Sequence, residues 1–235
     1  MERRGFVRSL LLAGAGAALP GGQVRAAAER RKMILPTDKP DRHHLKVMEW
    51  NPIPAPDPEA WELALGGLVA EPRRLNVKDL ARIPRITQSS RLKCVQCWSG
   101  RVLWEGFRCA DLLKLAHPRW ESSWVRVDCA DGYFDCVSVE DLIHPRTLFA
   151  VGMNGEPLTP EHGAPLRLVM PHKYGYRSSK LITKLTFVDT FCQGIVADAW
   201  PSYYSPTGAI EAGVDHPFDF GGEARNIKGG EILDY

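Results

Sequence analysis

The chain has 235 residues, 44% of them hydrophobic and 25% charged, enough for one large domain or two small ones with an ordinary core and no need of covalent staples. Its formal net charge is +2, but the first 28 residues carry +3 (Arg3, Arg4, Arg8 and Arg25 against Glu2), which leaves the remainder at −1. A near-neutral body lacks the basic stripe that neutralises phosphates, which excludes nucleic acid as a partner.

In chain order, Arg3-Arg4 and Phe6 precede a short apolar run, Leu10–Ala18, and a small-residue stretch, Ala26-Ala-Ala28. Basic start, apolar stretch and cleavage site together predict a twin-arginine signal peptide over 1–28 and a soluble periplasmic mature protein. The apolar run is well short of the ~20 residues a membrane span needs. Residues 29–60 hold Pro36, Pro40, Pro52, Pro54, Pro56 and Pro58 and read as an extended arm, not a packed element. The folded domain is then expected over 61–235.

Within it, Trp61, Leu63 and Leu65 alternate as on a strand and stop at Gly66-Gly67. Asn76 is placed to cap a short helix through Ile83. Ile86–Gln96 reads as strand and Ala110–Ala116 as helix. Trp124–Cys129 alternates, Asp131-Gly132 supplies a turn, and Phe134–Val139 follows as strand. Ser138 is placed to cap a helical run over Val139–Ile143. Phe149, Val151 and Met153 lead to Asn154-Gly155, a hairpin signal. Leu166–Met170 and Lys180–Val188 are further strands, and the tail from Cys192 reads as a surface wrap. The sum is an α+β, β-rich mixed single domain. No glycine-rich phosphate loop follows a strand.

Six cysteines are present. Cys109, Cys129, Cys136 and Cys192 read as buried thiols and not as disulfides, because a chain of this size needs none and folds before export in a reducing compartment. Cys94-x-x-Cys97 has three readings: half of a zinc site, a dithiol redox pair, or one metal-binding thiolate with a bystander. Spacing alone leaves them open. Arg167, Lys173, Arg177 and Lys180 form a basic group able to hold an anionic phosphate, or else a solvated basic face. His43, His44 and His117 read as surface residues, and His216 as structural.

The segment Cys94-Val-Gln-Cys-Trp-Ser99, then Trp104-Glu-Gly-Phe107 and Leu112-Leu113, resembles the molybdenum-ligand segment of the sulfite oxidase family, above all its periplasmic sulfoxide-reductase branch. Trp61–Pro72, His144-Pro145, Gly163–Arg167, Pro171–Lys180 and Val214–Pro217 continue the resemblance in order, from about residue 45 to the end. It implies a sulfite-oxidase-type molybdopterin-binding domain and a molybdenum–molybdopterin cofactor. Cys94 matches the metal ligand, and Trp98 a wall of the catalytic pocket. Arg167 matches the arginine on the pterin's phosphate, and Ser178, Ser179 and Lys180 the short cofactor-binding run. His162 stands where the family has a cofactor contact, Met48 and Glu49 where it has a Tyr-Glu pair, and Cys129 where it has a cofactor-touching Thr. The departures are Cys97 in place of an Ala, a shorter C-terminal stretch, and no additional β-sandwich domain.

The expected activity is two-electron oxygen-atom transfer by S-oxide or N-oxide reduction. The alternatives are a sulfite dehydrogenase and a non-catalytic molybdopterin-binding module. With no heme-binding motif of its own, the chain is expected to act as a monomer that exchanges electrons with a separate partner, a membrane heme protein or a soluble cytochrome. The four positions after Cys94 are neutral, which suits an uncharged substrate better than sulfite.

Overall fold

The computed structural model describes residues 45, 47–54, 57–95, 99–201, 204–210, 214–215 and 225–226. Two five-stranded sheets, a two-stranded pairing of Val214–Asp215 with Arg225–Asn226, and a few short helices make up one mixed, sheet-rich domain. The first sheet has the strand order β2 (Arg73–Asn76), β1 (Glu62–Gly67), β10 (Ile182–Val188), β5 (Trp124–Cys129), β6 (Phe134–Ser138). Its one parallel pairing joins β1 to β10, and the rest are antiparallel. The second sheet runs β3 (Ile86–Lys93), β4 (Ser99–Arg108), β7 (Leu148–Met153), β8 (Glu156–Pro157), with β9 (Arg167–Val169) also paired to β7.

Alternation sets which faces meet. Leu63 and Leu65 of β1 and Val125 and Val127 of β5 point inward, against Leu185 and Phe187 of β10. Phe107, Phe149 and Leu168 come to the same core from the second sheet. Helix α2 (Cys109–Ala116) adds Cys109, Leu112, Leu113 and Ala116 at helical spacing. Leu112 alone, with no exposed surface, contributes roughly 2 kcal/mol by burial.

The local signals hold. Asn76 caps α1 (Val77–Leu80) by accepting from Asp79 N at 3.1 Å, and the Asp79 carboxylate accepts from Asn76 N at 3.1 Å. That helix ends at Leu80, three residues earlier than its apolar spacing suggests. Ser138 Oγ accepts from Asp141 N at 3.0 Å and starts α3 (Val139–Ile143). Asn154-Gly155 turns β7 into β8.

Four expectations change. Strand β4 was not expected, because Gly100 and Gly106 interrupt its apolar pattern, yet it pairs β3 from Ser99 to Gly106 and β7 from Trp104 to Arg108. Part of the proline-rich arm is packed: Leu45, Val47 and Trp50 are buried, Leu45 in the apolar cluster with Trp104 and Leu148, and Trp50 in the one with Val196 and Trp200. The start of the tail after Cys192 is packed and does not wrap the surface: it forms α4 (Ile195–Ala199), whose Val196, Ala197 and Ala199 are buried together with Trp200, while most of the tail beyond residue 210 lies outside the described residues. Cys136 and Cys192 are not free thiols: they are joined in a disulfide, with Cα atoms 5.5 Å apart. The fold brings the end of β6 beside the loop that precedes α4, a proximity that 56 intervening residues hide in the sequence. Cys94, Cys109 and Cys129 form no disulfide among the described residues and are buried, as expected of Cys109 and Cys129. Among the described residues no helix is long and apolar enough to cross a membrane. The signal peptide and His216 lie outside the described residues.

Candidate functional site

One cleft gathers most of the predicted residues. It encloses ≈ 1040 Å³ of space, mouth included. The arm gives Met48 and Glu49, and the end of β3 gives Cys94. A 3-10 turn over Pro160–His162 gives His162, and the first residue of β9 is Arg167. Ser178, Ser179 and Lys180 follow a second 3-10 turn, Gly175–Arg177, and lead into β10. Cys129 does not line the cleft. Its thiol is buried and faces Ser179, and burial pushes it well up from the ordinary thiol value. Trp98 and Cys97 lie outside the described residues.

The electrostatics are those of an anion site. Arg167 is only 3% exposed. Its Nη1 donates to the His162 carbonyl at 3.0 Å, and its guanidinium lies 4.8 Å from the centre of the Trp104 ring. Its Nε, also buried, has no hydrogen-bond partner among the described residues. Burial lowers its pKa to about 10. Lys180 Nζ donates to the carbonyls of Met48 at 2.5 Å and Glu161 at 2.7 Å. Burial and then the neighbouring Arg167 hold its pKa down at about 8. Among the described residues neither cation has a carboxylate within salt-bridge distance. Gly163 lets them approach: at φ 103°, a Cβ there would sit 2.9 Å from Lys180 Cβ and 3.0 Å from Arg167 Cβ. Two crowded, half-satisfied cations are costly to keep charged unless an anion joins them. A phosphate, which accepts several charge-assisted bonds, fits that deficit.

The other two basic residues of the group do different work. Lys173 Nζ pairs with Asp141 at 2.8 Å, outside the cleft. That carboxylate also takes His172 at 3.4 Å, and the bonds from His172 and Lys173 hold it well below the usual carboxylate range against the opposing effect of burial. Arg177 is buried in an ion pair with Asp135. Spacing presents all four cations alike, and the resemblance singles out Arg167 and Lys180; the fold shows where the other two go.

Several wall residues carried no sequence signal. Trp50, Tyr133, Tyr176, Val196 and Trp200 make an apolar, largely aromatic side of the cleft. Trp50 meets Trp200 edge-on at 5.8 Å and Tyr133 at 6.3 Å. Asp131, read only as part of a turn, lines the cleft too. Its carboxylate accepts from Tyr133 N at 3.1 Å, and burial raises its pKa. The position of Trp50, directly after Met48-Glu49, is the one clue that was available. Among the described residues no three His, Cys, Asp or Glu side chains form a metal-holding group, and the Cys94 side chain lines the cleft wall.

Known proteins resemble this chain over about two thirds of its length. The family described as the oxidoreductase molybdopterin-binding domain matches residues 50–196. The chain is 30% identical over 174 residues to the protein-methionine-sulfoxide reductase catalytic subunit MsrP of Campylobacter jejuni, covering 67% of this chain and 59% of that protein. It is 29% identical over 176 residues to MsrP of Ralstonia nicotianae, covering 68% and 53%. The chain thus spans somewhat over half the length of these relatives. The sulfane dehydrogenase SoxCD of Paracoccus pantotrophus has a similar fold, with TM-score 0.55 and 23% identity over 61% of this chain and 41% of that one.

Proposed function

Because this chain belongs to the oxidoreductase molybdopterin-binding domain family, we propose that its cleft holds a molybdenum–molybdopterin cofactor with Cys94 as the thiolate ligand. The observation that carries the reading is the pair Arg167 and Lys180, crowded around Gly163 with no carboxylate at salt-bridge distance among the described residues. They hold the phosphate, and Ser178 and Ser179 add donors beside it. His162, Glu49 and the Met48 carbonyl fix the remaining edges. Cys129 supports Ser179 from outside the cleft. Trp98 belongs to the catalytic wall. The bound group supplies two-electron oxygen-atom transfer. The chain's own residues bind it, orient it and exclude water with the Trp50–Tyr133–Trp200 wall.

The reaction we assign is reduction of an S-oxide or N-oxide. Arg167 and Lys180 are engaged by the phosphate, while the side of the cleft formed by Trp50, Tyr176, Val196 and Trp200 suits a neutral substrate with apolar groups. The relatives' names as methionine-sulfoxide reductases support this direction. Their designation as catalytic subunits supports a separate electron-transfer partner, a membrane heme protein or a soluble cytochrome, for this monomer. The Arg3-Arg4 leader supports export to the periplasm by the twin-arginine route. The Cys136–Cys192 disulfide suits that oxidising compartment.

The test is elemental analysis of the exported protein, then steady-state kinetics on two reactions. Methionine sulfoxide with a reduced dye should turn over, and sulfite with an electron acceptor should not. Efficient sulfite oxidation with negligible sulfoxide reduction would reverse the assignment. Metal-free protein would remove its basis.

A further inference from the structure

Arg177 is buried beside the cleft, yet its guanidinium does not line it. Its Nη1 donates to Asp135 Oδ1 at 2.7 Å and to the Cys136 carbonyl at 2.8 Å. Its Nη2 donates to the carbonyls of Ser205 and Pro206, each at 2.8 Å. The rings of Tyr176 and Tyr204 lie 5.2 Å from it. Gly208 closes over it so tightly that a Cβ would come within 2.6 Å of Nε. An arginine so occupied has no room for an anionic ligand. It joins four pieces of chain: β6, the 3-10 turn Gly175–Arg177, the loop at 205–206, and Gly208.

The three residues that follow it are the cofactor run Ser178-Ser179-Lys180. On the other side that run is held by β9, where Leu168 N donates to the Ser179 carbonyl at 2.8 Å, and by Met170 N donating to Ser178 Oγ at 3.1 Å. The same turn connects to the aromatic wall, since Tyr133 Oη donates to the Tyr176 carbonyl at 2.5 Å. We propose that the Asp135–Arg177 ion pair is a positioning device that fixes Ser178–Lys180 and thereby sets how long the cleft retains its cofactor. This rests on the cofactor reading above. Neither residue touches the cofactor. They act through the backbone of the run.

The carboxyl gives the device a pH signature. Burial outweighs the pull of Arg177 and raises the Asp135 pKa to about 6. The groups facing it are Arg177, Tyr133, Tyr176 and the Cys129 thiol. Burial pushes both phenols and the thiol upward, and Asp135 holds Arg177 charged, so the carboxyl is the member that titrates near neutrality. Protonated Asp135 leaves Arg177 with carbonyl partners only. A carboxyl whose pKa is raised by folding takes up its proton with a gain in fold stability, not a loss. Acid through about 6 should therefore speed cofactor loss without this group weakening the fold.

The experiment follows molybdenum and pterin remaining on holoprotein after gel filtration, one pH unit either side of 6, for wild type, Asp135→Asn and Arg177→Lys. Apoprotein melting is measured alongside. On the alkaline side both variants should lose cofactor about 10–100-fold faster than wild type, the usual effect of removing an outer-shell support. On the acid side the gap between wild type and Asp135→Asn should close, while Arg177→Lys stays fast at both. Equal retention in all three proteins, with lower apo melting in the variants, would make the pair merely structural and overturn the proposal. If a variant does not fold, a wild-type retention rate that is flat through 6 overturns it as well. Wild type free of molybdenum and pterin would overturn the cofactor reading and this proposal together.

Discussion

Arg167 and Arg177 stand ten residues apart, both almost fully buried, 3% and 2% exposed. Around Arg177 the charge is answered by a carboxylate, three carbonyls and two rings, although its Nε, like that of Arg167, is buried with no hydrogen-bond partner among the described residues. Around Arg167 it is answered by one carbonyl and one ring, and Lys180 crowds it with charge of the same sign. The two respond oppositely. Arg177 is held more firmly charged than a free arginine, whereas Arg167 is pushed down to about 10. Burial is common to both, so burial does not mark a ligand site. The missing countercharge does.

The sharpest way to break the comparison is to remove each arginine from apoprotein. Arg177→Ala strands the Asp135 carboxylate and should cost about 3–5 kcal/mol of unfolding free energy. Arg167→Met removes a cation that no carboxylate answers, so apo stability should change by less than about 1 kcal/mol, in either direction. Its effect should fall on cofactor occupancy instead. Chemical denaturation and metal analysis read the two effects separately. A large apo destabilisation by Arg167→Met would mean that its charge is already satisfied without ligand.

The disulfide belongs to the Arg177 side, since Cys136 supplies one of that arginine's carbonyls. The paired Ser variants at Cys136 and Cys192 should cost about 2–4 kcal/mol, the range for a loop of this length. The reduced wild type should behave like them. Unchanged denaturation midpoints on reduction would show that the loop before α4 is held by packing alone.

How much of this was legible follows the range of each interaction. Caps, the 154–155 turn and the alternation of β1 and β5 are decided within a few residues, and the sequence announces them. The resemblance likewise delivered Cys94, Arg167 and Lys180, all of which line one cleft. The sorting of Lys173 and Arg177 away from that cleft depends on Asp141 and Asp135, contributed by other elements. The Cys136–Cys192 bond and the Trp50–Trp200 contact also join distant segments. Strand β4 was hidden for a different reason. Its buried Val102, Trp104 and Gly106 share one face, but apolar Leu103 faces outward between them, Gly106 brings no apolar side chain, and the register shift at Glu105/Gly106 puts buried Phe107 directly after, so the letters of the sequence show no period of two.

The smallest expected effect, and the most specific to the Arg167 side, is a pH dependence of apo stability carried by Lys180. Its pKa falls from the ordinary 10.5 to about 8 on folding. Between those two values the unfolded chain holds the proton and the folded chain does not. By linkage, stability then rises as pH climbs from about 8 towards 10.5 and is lost as pH falls back. Since Lys180 keeps some contact with solvent, the full shift overstates the effect, and a gain of roughly 1–2 kcal/mol is expected. Lys180→Met should flatten this part of the profile while leaving the rest in place. Phosphate in the cleft should flatten it too, because an anion lets Lys180 keep its proton in the folded state. The comparison is therefore made on apoprotein with and without added inorganic phosphate, by denaturation at several alkaline pH values. A wild-type profile already flat without phosphate would mean that Lys180 is solvated like any surface lysine. The deficit at the cleft would then reduce to Arg167 alone.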